Sequence, residues 1–130
     1  MKSLPRLALG VFFAAMLAAT THATTQTYST ARWNDTGSAI FSQSWTLNVP
    51  SNVNITTSIM INATTANGGG GSTTISRNGV TVLTVSASGP GVHSAGNATF
   101  GQPAGTYSIS HGFGGPPNTV YAEMYTQFNW

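Results

Sequence analysis

From Phe41 to Ala63 the chain changes polarity at nearly every step. In Phe41–Val49 the odd positions are apolar except Gln43, and every even position is polar. In the run that follows, Val53, Ile55, Ile59, Ile61 and Ala63 alternate with Asn54, Thr56, Ser58 and Asn62, Met60 being the exception. A period of two sends successive side chains to opposite faces of an extended backbone. Each run therefore predicts a strand with one face in a core and the other in water. Pro50-Ser51-Asn52 between them breaks the ladder and suits a turn.

The rest of the chain follows the same rhythm. Asn78-Gly79, between Thr73–Arg77 and Val80–Ser86, predicts a type I′ hairpin, because both residues tolerate positive φ. A two-residue loop sets Arg77 opposite Val80 and Ile75 opposite Val82. The apolar register then slips from Val80/Val82 to Leu83/Val85, which predicts a β-bulge near residues 82–83. Turns at Ser88–Gly91 and Gly101–Gly105 flank a weakly patterned strand over Val92–Phe100, and a short strand follows over Thr106–His111. The last strand, Thr119–Asn129, turns Val120, Ala122, Met124 and Phe128 one way and Tyr121, Glu123, Tyr125, Gln127 and Asn129 the other, with Thr126 diluting the inward side. Thr64–Thr74, with Gly68 to Gly71 in its middle, and Gly112–Asn118 read as loops. With a weak strand over Gln26–Trp33, this makes about eight short strands and no helical segment after residue 23. The expected fold is a single all-β domain, an antiparallel β-sandwich of jelly-roll or immunoglobulin-like type.

The first 23 residues belong to a different class. Lys2 and Arg6 precede a 13-residue run, Leu7–Ala19, that is apolar except for Gly10, and Thr21-His22-Ala23 places small residues at −3 and −1 of a cleavage site. This is the pattern of a secretory signal peptide. The run is too short for a membrane-spanning helix, which needs roughly 20 residues. Residues 1–23 are thus expected to be a leader and residues 24–130 the exported domain. The chain has no Cys, so the domain must hold together without disulfides, a habit of many bacterial exported domains. The expected destination is the cell surface, the periplasm or the medium.

Removing the leader also removes the apparent basicity. Of the four Lys/Arg and two Asp/Glu in the whole chain, the domain keeps Arg32, Arg77, Asp35 and Glu123, and its net charge is zero. Two arginines make no basic patch, which argues against nucleic acid and against anionic membranes as partners. Without Cys there is no thiolate-ligated zinc or iron–sulfur centre. A glycosidase would have to use Asp35 and Glu123 as its two acids, yet Asp35 sits in Trp33–Gly37, where Asn and Asp serve turn geometry. No Gly-x-Ser-x-Gly is present to mark a hydrolase nucleophile. His93 and His111 lack the close spacing of a metal pair, and His111 is in phase with Tyr107 and Ile109, as a hydrogen-bonded core histidine would be. We therefore expect no catalytic residues, no metal and no cofactor. The four Asn-x-Thr sequons, at Asn34, Asn54, Asn62 and Asn97, are about as many as this Asn- and Thr-rich composition produces by chance.

Two features point to contact with something outside the cell. Tyr121, Glu123, Tyr125, Gln127 and Asn129 should share one sheet face at a pitch of about 6.6–7 Å. A sugar ring stacks its C–H face on an aromatic ring while amide and carboxylate groups receive its hydroxyls. Tyr121, Glu123, Tyr125 and Gln127, joined by Trp33, are thus candidate ligand-binding residues. The plainer alternative is that the tyrosines pack across strands or beneath a loop. The second feature is the nearly uncharged hydroxyl-and-amide exterior, which opposes self-association weakly and leaves edges without their usual charged defences. An N-terminal arm, Thr24–Trp33, and an alternating C-terminal strand are weakly similar to subunits that polymerise by β-strand addition, although the Cys pair is missing. The expected function is non-enzymatic: adhesion or self-assembly through homotypic contacts, with a small carbohydrate-binding module for neutral glycans as the alternative.

Overall fold

The computed structural model describes residues 23–36 and 40–130; the expected leader lies outside them except for Ala23. Eight strands run in sequence: β1 (Thr25–Trp33), β2 (Ile40–Val49), β3 (Val53–Ala63), β4 (Gly69–Arg77), β5 (Val80–Gly89), β6 (Gly91–Gln102), β7 (Gly105–Gly114) and β8 (Val120–Asn129). They form two four-stranded antiparallel sheets, ordered β1-β8-β3-β6 and β2-β7-β4-β5. Each strand of the first half pairs with its mirror in the second half: β1 with β8, β2 with β7, β3 with β6 and β4 with β5. That is a hairpin ribbon rolled into a sandwich, the jelly-roll topology, and it decides against the immunoglobulin-like alternative.

The alternation is obeyed where both neighbours of a strand are present. In β3, which lies between β8 and β6, Val53, Ile55, Ile59, Ile61 and Ala63 are all buried. Edge strand β2 turns its odd positions inward but leaves Gln43 exposed and most of the others half-buried. On the side where β1 faces β2 across the sandwich, Tyr28 and Trp45 close the core with ring centroids 5.4 Å apart. Tyr107 is fully buried and its hydroxyl donates to the Pro103 carbonyl at 2.5 Å, tying the turn before β7 to that strand.

Several turn predictions hold in detail. Asn78 and Gly79 have φ of 49° and 83°, and Arg77 faces Val80. The bulge lies where it is expected, at Val82, which is the extra residue between Thr81 (opposite Ser76) and Leu83, so Ile75 meets Leu83 rather than Val82. That slip puts Leu83 and Val85 into the core and leaves Val82 half-buried.

Two expected loops, Thr64–Thr74 and Gly112–Asn118, are in part strand. Gly69–Gly71 belongs to β4, and Gly112–Gly114 belongs to β7, with Phe113 buried. The reason is steric. A Cβ on Gly71 would lie 2.8 Å from the Phe113 Cβ and 2.9 Å from the Met124 Cε. At Gly69, where a Cβ would lie 2.5 Å from the Val120 side chain, and at Gly71, the neighbouring strands approach too closely for side chains. Composition made this segment look like a flexible loop; packing makes it a half-buried strand.

Inside the sandwich, two apolar clusters are separated by a polar layer. One cluster centres on Ile55, Ile75, Ile109 and Phe128, the other on Ile59, Ile61, Phe113 and Met124. Between them, at the middle of five strands, lie Thr30, Thr57, Thr73, His111 and Thr126, all buried.

Candidate functional site

Antiparallel register fixes what stands on the outer face of the β1-β8-β3-β6 sheet. Glu123 lies between Ala31 and Met60, with Ser94 beyond. Two residues along, Tyr125 lies between Ser29 and Ser58, with Gly96 beyond. At the end of the face Trp33 is beside Tyr121, which is beside Asn62. The small neighbours of Tyr125 leave a depression of about 650 Å3 across all four strands, lined by Ser29, Ser58, Met60, Gly96, Glu123 and Tyr125 among others. The Tyr125 ring is 41% exposed within it.

All five sequence-predicted residues therefore share one face: Tyr121, Glu123, Tyr125 and Gln127 by the period of two, and Trp33 by its pairing with Tyr121. They form two stations rather than a single cluster. At one, Tyr125 stands among hydroxyls, with Gln127 next along the strand and half-buried. At the other, the Trp33 and Tyr121 rings are tilted together, with centroids 5.4 Å apart, and Trp33 is 44% exposed. Glu123 joins the stations: its Oε1 accepts a hydrogen bond from the Tyr121 hydroxyl at 3.0 Å. That bond holds the Tyr121 phenol above its ordinary value, with burial and the carboxylate charge adding to it. Among the described residues, Glu123 is the one charged side chain on this face. Sequence reasoning missed Met60 and the serines that floor the depression. Met60 was visible as a break in the β3 alternation, but only the register reveals that it lies beside Glu123.

Beneath the face runs a hydrogen-bond relay whose direction follows from its end. The Thr57 hydroxyl donates to the Tyr125 carbonyl at 3.0 Å and lies 3.0 Å from the Thr126 hydroxyl. Thr126 must then donate to Thr57, so it accepts from Nε2 of His111, 3.0 Å away. Nδ1 of His111 is left to accept from the Thr30 hydroxyl at 3.0 Å. The relay ties β7 in one sheet to β1, β8 and β3 in the other and ends on the backbone of Tyr125. His111 is fully buried, and desolvation lowers its pKa from 6.5 to about 4, so at neutral pH it is the uncharged imidazole this arrangement needs.

The other candidates for chemistry are dispersed. Arg32, in register with buried Ala122, lies over the Phe41 ring of the opposite sheet, 4.6 Å from its centroid, and pairs with Asp35. Asp35 is thus bound on the inter-sheet side of β1, whereas Glu123 stands on the outer face. His93 is turned onto the Pro90 carbonyl at 2.8 Å. Among the described residues, no three of His, Asp and Glu gather where a metal could bind. Asn34, read as a turn residue in a sequon, is 2% exposed and clamps the β7–β8 connection. Its Nδ2 donates to the Gly115 and Pro116 carbonyls, and its Oδ1 accepts from the Thr119 and Val120 N–H groups.

No family model matches the chain, and no curated protein matches it. Among solved structures, the carbohydrate-binding module TmCBM61, in complex with β-1,4-galactotriose, aligns over 82% of this chain and 86% of its own, with TM-score 0.51 and 11% identity. The infectious bursal disease virus (IBDV) T13 particle aligns over 84% of this chain, with TM-score 0.44 and 12% identity. This chain spans about a third, 31%, of that viral chain. A Bacillus endospore appendage protein that forms disulfide-linked pili aligns over 82% of this chain and 85% of its own, with TM-score 0.37 and 12% identity. At these identities the likeness is one of fold, and it rests on the carbohydrate-binding module.

Proposed function

We propose that this chain is an exported, non-enzymatic contact module that holds a neutral glycan on the outer face of its β1-β8-β3-β6 sheet. The observation that carries this reading is Tyr125: a large ring, 41% exposed, held at the centre of a depression whose neighbouring positions are Ser, Ala and Gly. An isolated exposed aromatic needs no explanation, but one set in a concavity with hydroxyls and a carboxylate around it has the composition of a ligand site. The electron-rich ring face attracts the C–H face of a pyranose, and Glu123 and Gln127 supply hydrogen-bond partners for hydroxyls. A lone carboxylate without cations repels anionic ligands and accepts uncharged ones. The leader pattern in residues 1–23 supports export, which would bring the face into contact with surface or matrix polysaccharide.

A glycan array probed with the protein should show retention of neutral glycans. Tyr125→Ala should weaken that binding by about tenfold to a hundredfold, the range for truncating an aromatic anchor, and leave the melting temperature within a few degrees. An array without neutral-glycan hits, or Tyr125→Ala binding like wild type, would sink the reading.

A second reading, homotypic assembly, is favoured by the edges. Strands β2, β5 and β6 each border a sheet and contain no Lys, Arg, Asp or Glu, while Val92 and Phe100 on β6 are 66% and 70% exposed. Such edges are open to strand pairing. Donation of the N-terminal arm is less favoured, because β1 is already paired with β8 of its own chain from Thr25 to Trp33. Size-exclusion chromatography across a concentration series tests assembly; a monomer at every concentration counts against it.

A further inference from the structure

We infer that the ligand is an extended oligosaccharide lying along β8 and bridging two aromatic stations, rather than a terminal monosaccharide. This inference rests on the glycan-binding reading and adds the length and direction of the ligand to it. The two stations are on one strand and one face. Tyr121 and Tyr125 are four residues apart, which in a strand is roughly 13–14 Å. That is wider than one hexose ring, so a single sugar on Tyr125 cannot touch the Trp33–Tyr121 pair.

The space between the stations is polar and not filled by an aromatic. Glu123 occupies it, with one carboxylate oxygen engaged by the Tyr121 hydroxyl and the other without a hydrogen bond among the described residues. A carboxylate fixed in this way presents an acceptor to the hydroxyls of a sugar passing from one ring to the next. Tyr121 is held by the same bond and by Trp33, so the far station is preorganised and loses little freedom on binding. The face continues past Trp33 into a second hollow of about 360 Å3, lined by Trp33, Thr64 and Asn118. That hollow gives a chain room to run on, whereas a terminal-sugar pocket would be closed at that end.

The test is a calorimetric titration of the protein with neutral gluco-, galacto- and manno-oligosaccharides of one to six units. In the series that binds, affinity should rise at least tenfold from the single sugar to the longest chain, then level off once both stations are covered. Trp33→Ala should abolish that gain, whereas Tyr125→Ala should weaken binding at every length, the shortest binding ligand included. Trp33 is 44% exposed; Tyr121→Phe, which keeps the ring and removes the bond to Glu123, gives a second variant and should reduce the gain by severalfold. If a single sugar binds as tightly as a hexamer, the extended-chain inference falls and the glycan-binding reading stands. If no oligosaccharide in any series binds, both fall.

Discussion

Acid should destabilise this domain through one buried residue. His111 is fully buried between Thr30, Thr126 and the Trp45 ring, whose centroid is 4.8 Å away, and its pKa falls from 6.5 to about 4 by desolvation. The unfolded chain takes up a proton at the ordinary value, and the folded chain does not do so until about pH 4. Between these values the unfolded state holds more protons, so stability is at its full value above pH 6.5 and is lost as pH falls towards 4. The gap of about 2.5 units, at 1.36 kcal/mol each, makes the loss about 3 kcal/mol. Domains of this size are stable by about 5–15 kcal/mol, and the corresponding fall in melting temperature is roughly 10–20 °C. Urea unfolding followed by tryptophan fluorescence at half-unit steps from pH 7.5 to 3.5 would trace the curve. His111→Gln retains every other titrating group and serves as the control. Whatever its baseline stability, its profile should be nearly flat across the window in which the wild type slopes. If the two proteins lose stability in parallel, or if the wild type does not slope between pH 6.5 and 4, the account of His111 as a buried neutral link between the sheets is wrong.

Two further outcomes follow from packing. Asn34→Ala removes four side-chain hydrogen bonds at the β7–β8 connection and should destabilise the domain by about 3 kcal/mol, a fall in melting temperature of roughly 10–20 °C; a melt within about 3 °C of wild type would contradict its role as a clamp. Gly71→Ala forces a methyl group to within 3 Å of Phe113 and Met124 and should lower stability by about 1–3 kcal/mol. A neutral or stabilising result in denaturant would show that the Gly run is a flexible loop after all.

The legible part of the site was its face, because parity along one strand is a local property. Tyr121, Glu123, Tyr125 and Gln127 had to point the same way once β8 was a strand, and they do. The neighbours that make this face a trough come from β1, β3 and β6, whose distance in sequence from β8 conceals them. Gly69 and Gly71 misled for a related reason: their role is set by Phe113, Val120 and Met124, all more than 40 residues away. Asn34 was legible as a polar residue near a turn, but its burial depends on a connection more than 80 residues downstream.

By itself the sequence determined that this chain folds as strands, which side chains each strand turns inward, where the hairpin and its bulge lie, and that the exterior is almost uncharged. These are consequences of a two-residue period and of local turn chemistry, which act within a few residues. Only the tertiary structure decided which strand lies beside which, and so made the jelly roll. It also gave meaning to the breaks in the pattern. His111 pairs with Thr73, and Thr126 with Thr57. Irregularities in separate strands thus meet in one polar layer, because antiparallel pairing aligns strand centres that no local rule connects.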